Sequence, residues 1–425
     1  MSGSQPLKSY SLSVAQQDVP SSWMPDPRPR LANTAARRIV SIASQSGTVQ
    51  PGQPMRFQLP ANMGAGFLVS GSAYIKFTIN VTQAVAPSWA FKQSGSGSSV
   101  FQRVSAVLSG AQIESINMYN KLYNNLLLHA TNTTYAGGDA RIHEGAFTVF
   151  TDASATVCVP IALACLNSQS HLPLFLLSSA ELQFETESLL EAITQLSANA
   201  VTGYTIDQAT VCFEQLVPEP AYEQGIKAML ASRVYQMKLD TWMNNRYSHQ
   251  ASITQTVGLN SSSVRCVLWG SVEPQAQDLA GYQKASAQTS AQIYADGALV
   301  HNSRLPCVNA AGCAEQFCES QRCLNLLFDT SRTSVAPTSI TAAATDQLAP
   351  TGITRARYFD GAFLGGVSLN RESLDNGSFS FVGTPVQNLV LAWQGSAINN
   401  GQFYVFIAVQ QILTIDMSGS VNLIR

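Results

Sequence analysis

The sequence predicts an all-β chain built as two similar halves, each a sandwich of about eight short strands. Three observations carry this. Short segments alternate apolar and polar side chains along most of the chain. One order of elements occurs twice: strands, a glycine-turn hairpin, a helix, more strands and a long closing strand. The composition is 45% hydrophobic but only 12% charged, about half the roughly 25% usual in globular proteins.

A chain of 425 residues with that apolar content can bury a large core, and a net charge of −2 gives no electrostatic drive toward nucleic acid or an anionic membrane. Near-zero net charge with normal apolar content argues against disorder. The shortage of Glu and Lys at heptad spacing excludes a coiled coil. A surface of Ser, Thr, Ala, Asn and Gln suits packing against copies of itself, because few charges must be desolvated. The N-terminus lacks the basic stretch and apolar core of a secretory signal, and the longest apolar runs are far shorter than the roughly 18–20 residues of a membrane span. A soluble chain made in a cytosol is expected.

Residues 1–38 read as an extended arm, with Pro20, Pro25, Pro27 and Pro29 beside Arg28, Arg30, Arg37 and Arg38. Its charge is too small for packaging a genome by counterion release. Strands then follow at Met55 to Leu59 and Tyr74 to Val81. Val104 to Leu108 and Ala111 to Ser115 form a hairpin about Ser109-Gly110. Met118, Leu122, Tyr123, Leu126 and Leu127 recur at helical spacing between Asn117 and His129. Strands resume at Phe147 to Phe150, Thr156 to Ala162, Leu172 to Leu177 and Ala180 to Phe184. Ser188 and Glu191 read as a capping box opening a short helix through Leu196, and Tyr204 to Leu216 closes the first half.

After Pro218, the spacing of Ile226, Met229, Leu230 and Val234 predicts a helix over Tyr222 to Met237. Strands return at Ala251 to Val257, Val264 to Leu268, Ser290 to Tyr294 and Ala298 to His301. A helix is expected over Ala314 to Leu327, then strands at Arg357 to Leu369, Val386 to Trp393 and Phe403 to Ile415. The division is therefore an arm at 1–38, a first unit at 39–218, a linker helix at 219–240, a second unit at 241–416 and a tail at 417–425. Each unit matches an eight-stranded jelly roll, which hides its sheet edges in a double layer. A single large β-sandwich with insertions is the alternative. Three Gly/Ser/Ala/Thr/Gln-rich stretches, Thr82 to Ser99, Gly270 to Thr289 and Asp329 to Gly352, read as surface insertions at one end.

No active site is legible. The histidines, His129, His143, His171, His249 and His301, never fall within four residues of each other, so the close pair of a metal-binding double barrel is missing. His129 reads as a charged helix cap. Cys158, Cys165, Cys212 and Cys266 sit among apolar neighbours, and Cys307, Cys313, Cys318 and Cys323 are spaced by six, five and five, without the close pairs of tetrahedral zinc sites. Reduced structural thiols are expected. Ser94 to Ser99 lacks the Lys-Ser/Thr of a phosphate loop. Glu181, Glu185, Glu187 and Glu191 form the densest carboxylate group and read as flanks of the capping box and a solvated strand end. No catalytic, cofactor or metal residue is assigned.

The pattern resembles the double jelly-roll major capsid proteins, the lineage of adenovirus hexons, tectivirus coats and virophage or polinton-like virus shells. The likeness rests on the proline-containing arm, Pro51 to Phe57 leading into the first strands, Val100 to Glu114 followed by Met118 to Tyr123, His171 to Phe175 before a strand, and the closing run Val386 to Leu391. It spans nearly the whole chain as a pattern of elements, without one specific motif. The resemblance implies a non-enzymatic homotrimer forming a pseudo-hexagonal block of an icosahedral virion shell, synthesised in the host cytoplasm. It implies neighbouring capsomers, penton and minor capsid proteins as partners, and an arm facing an internal membrane or the genome, with no specific nucleic-acid site. A sugar-binding β-sandwich of a viral fibre or lectin is the competing reading, though no Asp-rich calcium loop is present. A double-barrel enzyme and a small RNA-virus coat are the others; the latter would carry a more basic arm.

Overall fold

The computed structural model describes residues 36–424 apart from 84–87, 93–95, 132–134, 137, 196–200, 232, 274–282, 302–303, 328–334, 337–350, 371–382 and 399. The expected arm lies outside the described residues up to position 35, and its last part is already strand.

The first eight main strands are β1 (Ala36–Ala43), β2 (Pro54–Leu59), β3 (Tyr74–Gln83), β4 (Phe101–Leu108), β5 (Ala111–Asn117), β6 (Ser154–Pro160), β7 (Ala180–Thr186) and β8 (Val201–Val217). They pair antiparallel into two sheets, β1-β8-β3-β6 and β2-β7-β4-β5. The alternation dictates which face turns inward. Met55, Phe57 and Leu59 of β2 are buried, while Arg56 and Gln58 between them are exposed. A chain of edge-to-face rings crosses the sandwich: Phe57 to Phe184 at 5.6 Å, Phe184 to Phe101 at 5.1 Å and Phe101 to Phe77 at 5.3 Å.

The second set is β9 (Tyr235–Ser248), β10 (Ser252–Val272), β11 (Ser290–Ala295), β12 (Ala298–Leu299), β13 (Gly365–Ser368), β14 (Thr384–Gln394) and β15 (Gln402–Ile415), with β16 (Val421–Ile424) added beside β15. β10 serves as two strands. Its first arm, Ser252 to Gly258, pairs with β14, and its second, Val264 to Val272, pairs with β15. Between the arms the register shifts and Asn260 takes φ 46°, so the strand turns a corner from one layer to the other. Counting the arms separately, the sheets are β9-β15-β10-β13 and β10-β14-β11-β12. By position, both rolls therefore have the order 1-8-3-6 over 2-7-4-5. The fold is two consecutive jelly rolls.

The matching hairpins have a local cause. Ser109-Gly110 takes φ 49° and 79°, and Asp296-Gly297 takes 49° and 82°. Two successive positive φ values make the type I′ turn whose twist matches antiparallel strands. Helices interrupt both rolls between positions 5 and 6: α1 (Tyr119–Ala130) and α2 (Asp139–Glu144) in the first, and α4 (Ala314–Cys323) and α5 (Arg355–Phe359) in the second, with α3 (Pro220–Met229) joining the rolls.

Several expectations are corrected. α3 ends at Met229, and Tyr235 already pairs with Ile415. Met237 fits helical spacing after Val234, but it also alternates with Tyr235 and Leu239, and the sheet takes it. The helix after Ser188 is a single turn, Leu189–Ala192, with no side-chain cap from Ser188, and Ile193–Gln195 is strand. Leu172 to Leu177 holds a two-residue strand and a 3-10 turn, Phe147 to Phe150 contributes isolated bridge residues, Phe150 pairing with Trp89, and Arg355–Phe359 is helical where a strand was expected from Arg357. The C-terminal segment is not a tail, since Val421–Ile424 extends the sheet. The stretch from Thr82 is not wholly a surface insertion: Trp89 to Lys92 and Ser96 to Val100 are buried, and Trp89–Phe91 pairs with Ile193–Gln195. Most of 329–352 and the middle of 270–289 lie outside the described residues.

Candidate assembly surfaces

Strands in each roll run alternately up and down, so the connections after positions 1, 3, 5 and 7 share one end. The longest of all, after position 5 in each roll, carry α1 and α2 in the first and α4 and α5 in the second. The connections after positions 2, 4 and 6, together with α3 and β16, occupy the other end. Contacts between the rolls show that both point the same way. At the insertion end, Asn125 Nδ2 of α1 donates to Tyr404 OH at 3.2 Å, Gln283 Nε2 donates to Tyr404 OH at 3.0 Å and to Asn125 Oδ1 at 2.6 Å, and His129 Nε2 lies 3.0 Å from Ala362 O. At the opposite end, Tyr235 OH donates to His171 O at 3.2 Å, Gly419 sits against the Leu176 carbonyl, and the buried Glu223 carboxylate of α3 accepts from the Gly64 and Gly66 N–H groups at 2.7 and 2.9 Å. The rolls stand side by side, insertions together.

The seam between them is part of the core. Met237, Leu239, Leu268, Tyr404, Phe406 and Leu413 of the second roll belong to the same buried cluster as the first roll's interior. β9 packs against β5, where Glu114 is buried and accepts from Thr241 Oγ1 at 2.6 Å and from Cys165 N at 3.2 Å. Burial pushes its carboxyl above the ordinary range, partly opposed by those hydrogen bonds. An open groove of about 590 Å³ runs beside the seam, lined by Leu126, Leu163, Lys238, Trp242 and Arg265 among others.

The side chains singled out in the sequence are scattered. His129 is fully buried and burial pushes its imidazole down to about 4, so it is a neutral partner of Ala362 and not a charged cap. His249 stacks edge-on to Trp393 and is also lowered to about 4 by burial, and its Nδ1 accepts from Ile398 N. His143 lies near Glu144, and His171 Nδ1 accepts from Ser70 N. Glu181 and Glu185 face Arg56 and Arg103 at 3.8 and 2.8 Å on the sheet surface. Glu187 and Glu191, the two expected at the capping box, are buried. Glu187 accepts from Asn120 Nδ2 at 3.1 Å, and Glu191 forms a buried ion pair with Lys121 at 2.5 Å and accepts from Gln402 Nε2 at 2.8 Å. They brace α1 and the second roll instead of facing a substrate.

Sequence reasoning passed over Glu144 of α2. It is fully buried and accepts from Ser96 Oγ at 2.6 Å and from Tyr123 OH and Tyr135 OH at 3.0 Å, with burial raising its pKa. Nothing local marks it, since its partners come from three separate segments. It locks the 96–100 turn onto α1 and α2. All eight cysteines are free thiols, and burial pushes Cys307 up to about 12. Among the described residues, no group of His, Cys, Asp and Glu is arranged to hold a metal.

On the outer face of β3, Thr78 bonds Thr156 of β6 at 2.9 Å, and Asn80 Nδ2 donates to the Asp207 carboxylate of β8 at 2.5 Å. No helix among the described residues is long and apolar enough to cross a membrane.

No family model matches the sequence, and no curated protein matches it. Solved structures do match the fold. The PBCV-1 virus capsid model aligns over 95% of this chain and 100% of that chain, with a TM-score of 0.57 at 13% identity. The Faustovirus major capsid protein aligns over 95% and 94%, with a TM-score of 0.55 at 7% identity. The mavirus major capsid protein aligns over 100% and 95%, with a TM-score of 0.50 at 11% identity. At such identities the likeness is one of architecture, and the architecture of this chain is that of the double jelly-roll major capsid proteins of viruses.

Proposed function

We propose that this chain is the major capsid protein of an icosahedral virus, a structural subunit without catalytic activity. The observation that carries the reading is the side-by-side stance of two rolls with the same polarity, joined through one continuous core. Such a unit is a rigid two-lobed tile with long insertions on one face and the start of β1, α3 and β16 on the other. Three copies in a closed ring place six similar lobes around an axis, a pseudo-hexagonal capsomer able to cover a facet. The insertion end faces outward and the end carrying the start of β1 and α3 faces inward, with the arm that precedes β1 as the contact to an internal membrane, a minor protein or the genome. Neighbouring capsomers, penton and minor capsid proteins are its partners, the virion its location and the host cytoplasm its place of synthesis. The division into arm, first roll, linker, second roll and final strand belongs to this reading.

The fibre or lectin alternative is not favoured, because the solved structures sharing the fold are capsid proteins. Light scattering on the purified chain tests the proposal. A mass three times 45.5 kDa is expected; a stable monomer across micromolar concentrations contradicts it.

A further inference from the structure

The two rolls meet through unlike surfaces. Within the chain, the position-1 strand of the second roll, β9, packs against the position-5 strand of the first, β5. The contact buries Leu239 and Thr241 on one side and Glu114 on the other. Because the rolls share one topology, each carries both kinds of surface, and a single unlike contact leaves one of each unused: position 1 of the first roll, β1, and position 5 of the second, β12. Both are bare. Ile39 of β1 is 72% exposed and Leu299 of β12 is 37% exposed, at positions whose counterparts β9 and β5 form the seam. Among the described residues both are sheet-edge strands, β1 pairing with β8 alone and β12 with β11 alone, so each presents a row of backbone groups with no strand partner there.

Charge fits the same pairing. Arg38 of β1 donates to a neutral partner, Gln215 Oε1, at 2.8 Å. Asp296, at the tip of the β11–β12 hairpin, accepts from the Gln387 and Asn388 N–H groups, with no ion pair among the described residues. Both lie at the end of the rolls opposite the insertions, so a cation and an anion stand at the same level of the two bare surfaces.

We propose that β1 of one copy docks against the β11–β12 hairpin of a second copy, repeating between chains the seam that joins the rolls within one. A contact between unlike surfaces propagates until the rotation closes, so three copies are held by three identical junctions. This rests on the trimeric reading above and adds which residues form the junction.

The test is light scattering on the full chain carrying Ile39→Asp or Leu299→Asp, with Ile142→Asp as control. Ile142 is 83% exposed on α2, away from both surfaces. The two junction variants are expected to melt as folded proteins at one third of the wild-type mass, with the control still trimeric. A double variant, Ile39→Cys with Leu299→Cys in a Cys318→Ser background, is expected to give chain-to-chain cross-links under mild oxidation that neither single variant gives. Trimers that persist in both aspartate variants, or a cross-link confined within one chain, overturn the junction. A monomeric wild-type chain instead overturns the capsomer reading itself, so the two failures are distinguishable.

Discussion

Replacing Glu114 by alanine is the sharpest probe of the seam. Its two carboxylate oxygens receive the Thr241 hydroxyl at 2.6 Å and the Cys165 N–H at 3.2 Å, all in a buried setting. Glu114→Ala leaves both donors without that acceptor. Each orphaned buried donor costs about 1–3 kcal/mol, giving about 2–6 kcal/mol in total. That is a large fraction of the roughly 5–15 kcal/mol by which folded domains are stable. Glu114→Gln has the shape of the protonated acid and keeps one acceptor, so it should lose under about 1–2 kcal/mol. Because burial raises this carboxyl's pKa, its favourable contribution is fullest below the ordinary glutamate pKa and declines as pH rises through the folded value. Wild type should therefore lose stability relative to Glu114→Gln as pH rises. Equilibrium denaturant unfolding at fixed protein concentration reads both effects. An alanine variant within about 0.5 kcal/mol of wild type would refute the assignment of the seam to this carboxyl.

Three further outcomes are expected. His129 is held neutral with its pKa lowered from 6.5 to about 4, so the unfolded chain takes up the proton first. Stability should fall by about 3 kcal/mol as pH drops from 6.5 to 4, and His129→Gln should flatten that slope in pH-dependent unfolding. Gly66 has φ +60°, and a Cβ there would stand 2.0 Å from Leu216 O, so Gly66→Ala should sharply lower the melting temperature, whereas alanine at the unobstructed Gly47 should not. Lys121→Met should cost about 1–3 kcal/mol by removing the ion-pair partner of the buried Glu191 carboxylate, which keeps its hydrogen bond from Gln402, and adding Glu191→Leu should recover part of it in the same denaturant assay.

What the sequence reveals divides along a physical line. The hairpins at Ser109-Gly110 and Asp296-Gly297 are legible because φ > 0 is written in the turn residues themselves. β2 is legible because every second side chain enters the core, and α1 because its apolar residues recur at helical spacing. The twofold order of elements follows from these local signals. The seam does not, since Glu114 meets Thr241 across 127 positions and Asn125 meets Tyr404 across 279. Nothing around Glu187 or Glu191 foretells burial, which depends on α1 arriving with Asn120 and Lys121. The same holds for His129, which reads as a charged cap until Ala362 covers it. The β10 corner was missed because its two arms read as separate strands, when one chain passes from layer to layer without a loop. The boundary between α3 and β9 is not legible because Met237 satisfies both periodicities, helical after Val234 and alternating with Tyr235 and Leu239.

Electron microscopy of the purified protein tests the central claim most directly. Two-dimensional class averages should show six lobes around a threefold axis in top view and, in side view, protrusions on one face only. Single two-lobed particles, or protrusions on both faces, would contradict the paired, same-facing rolls as a shell tile.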